Sequence, residues 1–374
     1  MKKKVYLDYS ATTMVDSSVL EKFNNVVKEN YANPNSIHDL GLSSKSIIDN
    51  SISNICSYFG IDGDEIIFTS GSSESNNTVI KGIIDKSNRK KIITTYLEHS
   101  SILSPLSYLQ SKGYIIEFVK LDSDGLVDIE DLKSKLDSNT LLVSICMVNS
   151  ELGILLNTSE VFDVVKKYDK EIYTHSDITQ GLGKVNINLD NIDMASFSGH
   201  KIYTFKGIGG LIKKKNIKLI PLVHGGKSTT IYRSGTPSTE LIYSLSCAFD
   251  LFKDSIDTKY NYVKVLNNKI RNVLKEYDNI YINSKDNGIP HILNFSIIGK
   301  DSVSIQKYFS DRGIYISTKS ACSSDKNMSM VVKNMYNEDR ALSCVRVSIS
   351  YKTTSKEIDY FLKVLKEYMS NENS

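Results

Sequence analysis

The chain has 374 residues, of which 40% are hydrophobic. It can therefore bury a sizeable core, and it exceeds the roughly 250–300 residues at which a single core usually divides, so we expect two domains. Its 46 basic and 43 acidic side chains leave a formal charge of only +3. No charge run is longer than the three-lysine runs at residues 2–4 and 213–215, which argues against direct nucleic acid binding.

The five cysteines show neither the CxxC spacing of a zinc site nor a disulfide framework. We therefore predict no metal site and a reducing compartment. Within the first eight residues a charged side chain follows before the apolar region of a signal peptide can form. No run approaches the ~18 apolar residues of a membrane span. We expect a soluble, cytoplasmic protein that does not bind a membrane.

Two amphipathic helices are predicted before the first strand. After a plausible N-cap at Asp16, apolar residues between 19 and 27 fall on one helix face, and a second face runs through residues 48–59. Seven β-rich runs then alternate with helical patterns, which is typical of βαβ units and a largely parallel sheet. The runs are residues 65–69, 91–95, 114–119, 141–145, 171–174, 193–197 and 209–212.

From about residue 240 the pattern changes to a long helical stretch, later strands and a last helix from about residue 355, which predicts a smaller α+β domain. These later strands are residues 280–282, 292–298, 314–317 and 345–349. We predict an α/β fold whose large domain, residues 15–245, holds a mostly parallel seven-stranded sheet between helices. Residues 1–14 and 246–374 would form the small domain.

Lys201 ends the segment Ser-Phe-Ser-Gly-His-Lys, which follows a predicted strand and precedes a glycine-rich stretch. A lysine in this place can bind an aldehyde covalently, although the short segment is equally consistent with a surface lysine. Ser72 and Ser73 begin a helix whose free N–H groups suit a phosphate. His99 and Asp177 each come at the end of a strand where parallel sheets bind ligands, but singly they are also consistent with ordinary structural roles.

Together these positions have a joint chemical meaning. An enzyme that uses pyridoxal phosphate (PLP) needs a lysine for the aldehyde, an acid beside the pyridine nitrogen, a stacking ring and a phosphate site. Lys201, Asp177, His99 and Ser73 supply one each. An ionised Asp177 would stabilise the protonated pyridine ring.

These segments, in this order, resemble the NifS/IscS-type cysteine desulfurases, in the class V aminotransferase group of fold-type I PLP enzymes. The resemblance runs nearly end to end, through residues 6–13, 33–38, 70–77, 148–153 and 345–348. It implies a PLP site in which His99 stacks on the ring. The other implied contacts of the cofactor are Ser72, Ser73, Ser150, Asp177, Thr179, Gln180, Ser198, His200 and Lys201, and Thr236 from the neighbouring subunit of a homodimer.

The resemblance also implies that Arg346 and Asn33 bind the substrate, L-cysteine, and that the guanidinium of Arg346 grips its carboxylate. Cys322, in Lys-Ser-Ala-Cys-Ser-Ser, would take the sulfur as a persulfide and pass it to an acceptor, an iron–sulfur scaffold or a tRNA-thiolation protein. From the residues alone, Arg346 is also consistent with a surface ion pair, Cys322 with a packing residue and Thr236 with a turn.

Several positions depart from the family pattern. Ser150 replaces an asparagine and Lys319 a glycine, and further departures occur at Met14, Ile178 and residues 204–205. No catalytic group is lost, but the departures indicate a divergent paralogue. Two alternatives therefore remain, a selenocysteine lyase or class V aminotransferase of the same fold, and a weakly active sulfur-relay or binding protein.

Overall fold

The computed structural model describes residues 4–61, 65–83, 88–318 and 328–371. The strands within these ranges are β1 (Val5–Tyr6), β2 (Glu65–Thr69), β3 (Lys91–Thr94), β4 (Ile115–Phe118), β5 (Thr140–Ser144), β6 (Tyr173–Asp177), β7 (Met194–Ser198), β8 (Gly209–Lys213), β9 (Ile280–Ile282), β10 (Ile292–Ile297), β11 (Ile314–Tyr315) and β12 (Cys344–Ser348).

The helices are α1 (Ser17–Glu29), α2 (Asp39–Phe59), α3 (Ser72–Gly82), α4 (Ser100–Ser111), α5 (Ile129–Lys135), α6 (Thr158–Tyr168), α7 (Thr239–Asp250), α8 (Ile256–Leu274), α9 (Ser302–Asp311), α10 (Met330–Met335), α11 (Glu338–Ser343) and α12 (Ser355–Asn371). A 3₁₀ turn covers Gly199–Lys201. The predicted cap of the first helix is confirmed, because the Asp16 side chain accepts a hydrogen bond from the backbone N–H of Ser18 at 2.9 Å.

A seven-stranded sheet forms the centre of the larger part of the molecule, in the order β2-β8-β7-β6-β5-β3-β4. Strand β8 runs antiparallel to both neighbours, whereas the remaining pairs are parallel. Strands β3, β5, β7 and β8 are buried along their whole length, as expected for a sheet with helices on both faces. The predicted fold class and all seven predicted strands are confirmed.

The strand predicted at residues 171–174 is shifted toward the C-terminus. Its first two residues belong instead to a turn, in which the Asp169 carboxylate accepts a hydrogen bond from the backbone N–H of Glu171 at 2.9 Å. The strand β6 therefore starts at Tyr173 and ends at Asp177. This shift makes Asp177 the last residue of a strand and not the first residue of a loop.

A second hydrophobic core joins the two ends of the chain. It contains Val5 and Leu7 together with apolar residues between 263 and 369. Around it lie the antiparallel sheet β12-β10-β9 and the short parallel pair β1-β11. Helix α7 crosses the predicted boundary at residue 245 and packs on α1 and α2, and the exact limits of the two domains remain a prediction. No helix among the residues described combines the length and apolarity needed to cross a bilayer.

Candidate functional site

The carboxyl ends of the parallel strands bring most of the predicted site residues to one edge of the central sheet. Asp177 ends β6 and Ser198 ends β7, while His99 lies between β3 and α4. These ends border a cavity of about 480 Å³. The predicted residues that line it are Ser72, Ser73, His99, Ser150, Asp177, Thr179, Gln180, Ser198, His200, Lys201 and Arg346.

Lys201 lies in the 3₁₀ turn after β7 and points its amine at the N-terminal segment. Its Nζ donates hydrogen bonds to the carbonyl oxygens of Ser10 and, at 2.7 Å, Ala11. The same segment is tied to the turn through Thr13, whose backbone N–H donates to the His200 carbonyl at 2.9 Å. Residues 10–12 therefore form one wall of the cavity and hold the lysine in place.

The N-terminus of α3 forms one end of the cavity. Its cap, Gly71, offers no side chain, and the Ser72 backbone N–H donates to Ser198 Oγ at 2.7 Å. Glycine is required at position 209, because a Cβ there would lie 2.6 Å from Gly71 Cα. Hydroxyl groups and first-turn N–H groups of a helix that meet in this way suit a phosphate.

The Asp177 carboxylate is buried and accepts hydrogen bonds on both oxygens. Asn76 Nδ2 donates to Oδ2 at 2.8 Å, and the Thr179 backbone N–H donates to Oδ1 at 3.0 Å. Only 8% of Asp177 is exposed, at a position that lines the cavity. A buried carboxylate so placed can stabilise a cation, such as a protonated ring nitrogen, in the cavity.

His99 is the N-cap of α4, and its Nδ1 accepts a hydrogen bond from the backbone N–H of Ser101 at 3.2 Å. Burial lowers the pKa of His99 below its ordinary value; the Asp177 carboxylate opposes this shift, and the Lys201 amine adds to it. His200, which also lines the cavity, has its pKa lowered to about 4 by burial and then by Lys201. Both imidazoles are therefore neutral at physiological pH.

Gln180 connects the cavity to a buried lysine. Its Nε2 donates to the Ser10 carbonyl at 3.0 Å, and its Oε1 accepts from Lys184 Nζ at 3.4 Å. Burial, reinforced by the Lys201 amine, lowers the pKa of Lys184 to about 7. Thr179 precedes Gln180 in the chain, and its Oγ1 is buried without a hydrogen-bond partner among the described residues. This hydroxyl is therefore available to a bound molecule.

Arg346 enters the cavity from β12 and is only 2% exposed. Its Nη1 donates to the Ser150 carbonyl and its Nη2 to Asp8 Oδ1, both at 2.8 Å. Its Nε is buried without a partner among the residues described. Such a guanidinium has the geometry and the spare donor capacity to bind a carboxylate.

The sequence comparisons agree with this geometry. The family model described as Aminotransferase class-V matches residues 5–361. The chain belongs to the class V aminotransferase family. Within this family it is similar to the Cysteine desulfurase IscS of Dictyoglomus turgidum, 35% identical over 98% of this chain and 94% of the relative. The Cysteine desulfurase IscS of Rickettsia prowazekii is 36% identical over 96% and 90%.

Comparison with solved structures extends the similarity to the fold. A NifS-like protein superposes with a TM-score of 0.93 at 32% identity, over 98% of this chain and all of the other. The structure of SspA in complex with cysteine superposes with a TM-score of 0.82 at 30% identity, over 95% and 100%. The chain therefore belongs to the NifS/IscS group of the family, as its motifs predict.

Two predicted site residues, Asn33 and Thr236, do not line this cavity. Asn33 is exposed in the loop before α2, where its Oδ1 accepts a hydrogen bond from the Asn35 backbone N–H at 3.0 Å. Thr236 is exposed at a separate cavity of about 250 Å³ that shares Ser70 with the main one. Cys322 lies outside the described residues.

Sequence reasoning missed several residues that hold the site together. Each of them makes a hydrogen bond to a residue that lines the cavity. They are Asp8 with Arg346, Ser10 with Lys201, Asn76 with Asp177, Ser101 with His99, and Lys184 with Gln180. Asn76 carried a usable signal, because it is a polar residue on a helix face that faces the sheet. Asp8 carried none, because its partner Arg346 lies 338 positions away.

Proposed function

We propose that this class V chain is a PLP-dependent cysteine desulfurase that converts L-cysteine to L-alanine and transfers the sulfur to Cys322. The observation that carries the proposal is one cavity that combines an amine on Lys201, a buried carboxylate on Asp177 and a buried guanidinium on Arg346. An aldehyde, a cationic ring and an amino-acid carboxylate would each find a complementary group there.

The residues of the cavity fit PLP in particular. The N-terminus of α3 and the Ser198 hydroxyl suit its phosphate, and Asp177 suits its ring nitrogen. The unpartnered hydroxyl of Thr179 is a further buried polar group that a ligand would satisfy. When bound, PLP supplies an electron sink that stabilises negative charge at the substrate α-carbon.

Each side chain of the site then has its own role in the proposed reaction. Lys201 holds the cofactor aldehyde, His99 covers the ring, and Arg346 orients the carboxylate of cysteine. The Cys322 thiolate attacks the substrate sulfur, so that a sulfur–sulfur bond forms while the carbon–sulfur bond of the substrate breaks. The electron pair of the broken bond stays with the substrate β-carbon, which then takes up a proton. The products are L-alanine and a persulfide on Cys322, and no external oxidant is needed.

The proposed partners follow from the same family assignment. We propose a cytoplasmic homodimer in which Thr236 reaches the phosphate site of the partner subunit, supported by its exposure beside a cavity that shares Ser70 with the main one. A sulfur-acceptor protein, either an iron–sulfur scaffold or a tRNA-thiolation protein, would then receive the persulfide sulfur.

The decisive experiment incubates the purified protein with L-cysteine and measures alanine and the mass of the peptide that contains Cys322. We expect alanine release and a Cys322 peptide heavier by one sulfur atom. Cys322→Ala should abolish both, whereas Cys56→Ala, a matched change on α2, should leave both intact. Alanine formation that survives Cys322→Ala unchanged would refute the sulfur-transfer step.

Parallel assays separate the alternatives. Selenocysteine turnover that survives Cys322→Ala, without turnover of cysteine, would identify a selenocysteine lyase. Amino transfer to an α-keto acid would identify an aminotransferase. A purified protein without the visible absorbance of lysine-bound PLP would instead identify a relay or binding protein.

A further inference from the structure

A continuous hydrogen-bonded chain connects the predicted ring-nitrogen acid to the predicted stacking histidine. Asn76 Nδ2 donates to Asp177 Oδ2 at 2.8 Å and to Ser101 Oγ at 2.9 Å. Ser101 Oγ in turn lies 2.9 Å from His99 Nδ1. All of these contacts are buried or partly buried, and they join α3, α4 and β6 at the cavity.

The direction of each hydrogen bond in this chain follows from the chemistry of the groups. The Asp177 carboxylate only accepts, so the amide nitrogen of Asn76, and not its oxygen, must face it. That nitrogen only donates, so Ser101 Oγ is an acceptor toward Asn76. The hydroxyl hydrogen of Ser101 is then available for His99 Nδ1.

A second donor reaches the same ring nitrogen. As the N-cap of a twelve-residue helix, His99 accepts the backbone N–H of Ser101 on Nδ1 at 3.2 Å. Two donors therefore converge on Nδ1, which must keep its lone pair. A helix N-terminus also disfavours a positive charge on its capping side chain.

We infer that Ser101 and Asn76 are positioning residues that hold His99 neutral with its proton on Nε2, so that His99 presents a hydrogen-bond donor to the cavity and not a base. Nδ1 faces the first turn of α4, whereas Nε2 lies at the far end of the ring. A histidine in this state can donate to an electronegative atom of a ligand but cannot remove a proton with Nε2.

The charged groups around the ring support the neutral state on balance. Burial lowers the pKa of His99, and the Lys201 amine acts in the same direction, against the carboxylates of Asp177 and Glu151. Glu98 precedes His99 in the sequence, and burial raises the pKa of its carboxyl to about 8. It therefore adds little negative charge near the ring at neutral pH.

The inference rests on the proposed function only in that His99 must border a bound substrate or cofactor. Its test uses protein labelled with ¹⁵N in histidine and loaded with its cofactor, because nitrogen resonances distinguish the two neutral tautomers. The chain has six histidines, so the His99 signals are those lost in His99→Gln. We expect the Nε2–H tautomer in the wild type at neutral pH.

The variant Ser101→Ala removes the hydroxyl donor and keeps the backbone donor, and alanine is well tolerated inside a helix. The protonation midpoint of His99 should rise by about half a pH unit to one unit, because one hydrogen bond to the neutral form is lost. Ser101→Thr should restore the wild-type midpoint. Ser100→Ala is the matched control, because the Ser100 hydroxyl makes no hydrogen bond to any described residue.

Two results would overturn the inference. One is a wild-type His99 that carries its proton on Nδ1, or on both nitrogens, at neutral pH. The other is a midpoint that Ser101→Ala leaves unchanged. The tautomer is read without turnover, so a failure to produce alanine from cysteine would count against the proposed function alone.

Discussion

Arg346 is paired inside the protein with Asp8, a residue of the N-terminal segment 338 positions earlier in the chain. The distance from Nη2 to Oδ1 is 2.8 Å, and the Arg346 side chain is 2% exposed while that of Asp8 is 20% exposed. The guanidinium that is proposed to bind the substrate therefore already holds an internal carboxylate. Substrate binding and the ends of the chain are linked through this pair.

The first prediction concerns the shape of the guanidinium. Arg346→Lys keeps the positive charge but loses the fork that binds a carboxylate through two hydrogen bonds, so KM for cysteine should rise about tenfold or more. The absorbance of bound cofactor should not change. Arg312→Lys, at a half-buried position outside the cavity, serves as the control. An unchanged KM would contradict the assignment of Arg346 to the substrate carboxylate.

The second prediction concerns the internal carboxylate itself. Asp8→Asn removes the negative charge that competes with the substrate, so KM for cysteine should fall by about threefold or more. Tm should fall as well, because a buried charge loses its counter-ion. Steady-state kinetics and thermal unfolding measure the two effects. A rise in KM would show instead that Asp8 orients Arg346 for the substrate.

The third prediction tests the proposed role of the Lys201 amine in binding the cofactor aldehyde. Lys201→Ala should remove the visible absorbance of lysine-bound PLP and reduce alanine formation by about 10²-fold or more. Lys218→Ala, an exposed lysine outside the cavity, should retain both. If the absorbance persisted in Lys201→Ala, a different lysine would have to hold the cofactor.

The fourth prediction concerns pH and stability. Glu98 is 5% exposed, and burial raises the pKa of its carboxyl from 4.5 to about 8. Between these two pH values Glu98 is ionised in the unfolded chain but keeps its proton in the folded chain. The contribution of protonated Glu98 to the free energy of unfolding is therefore complete below pH 4.5 and is lost as pH rises through 8. At pH 7 the loss amounts to roughly 3 kcal/mol.

Glu98→Gln cannot ionise, so the free energy of unfolding of the variant relative to the wild type should increase steadily from about pH 5 to pH 8. Denaturant unfolding at several pH values measures the difference. Comparison with the wild type cancels the contributions of the buried histidines, which titrate in both proteins. A difference that does not depend on pH would show that Glu98 is ionised in the folded state.

The parts of the structure that depend on local pattern could be predicted. The seven strands of the central sheet show short β-rich runs between helical periods, and the largest error of position, in β6, arose where Asp169 makes a turn. Lys201, Asp177 and His99 could be placed together because the carboxyl ends of parallel strands share one edge. That rule needs only the order of the elements.

Other features could not be predicted because they depend on contacts between distant segments. The hydroxyl of Ser101 becomes part of the hydrogen-bonded chain to Asp177 only because α3 brings Asn76 between α4 and β6. Asn33 and Thr236 belong to matching motifs, but within the described residues they lie outside the cavity, since motif identity does not specify where an exposed loop lies relative to a pocket.

By itself, the sequence determined the fold class and the family and predicted the reactive groups, because strand and helix periods and the lysine and carboxylate at strand ends are local properties of the chain. Only the tertiary structure decided how those groups are held. The Asp8 partner of Arg346, the carbonyl groups that hold Lys201 and the two donors on His99 Nδ1 all come from packing between segments far apart in sequence, or from the geometry of a helix end. Burial then lowers the pKa of His99, and burial is a property of the folded chain alone.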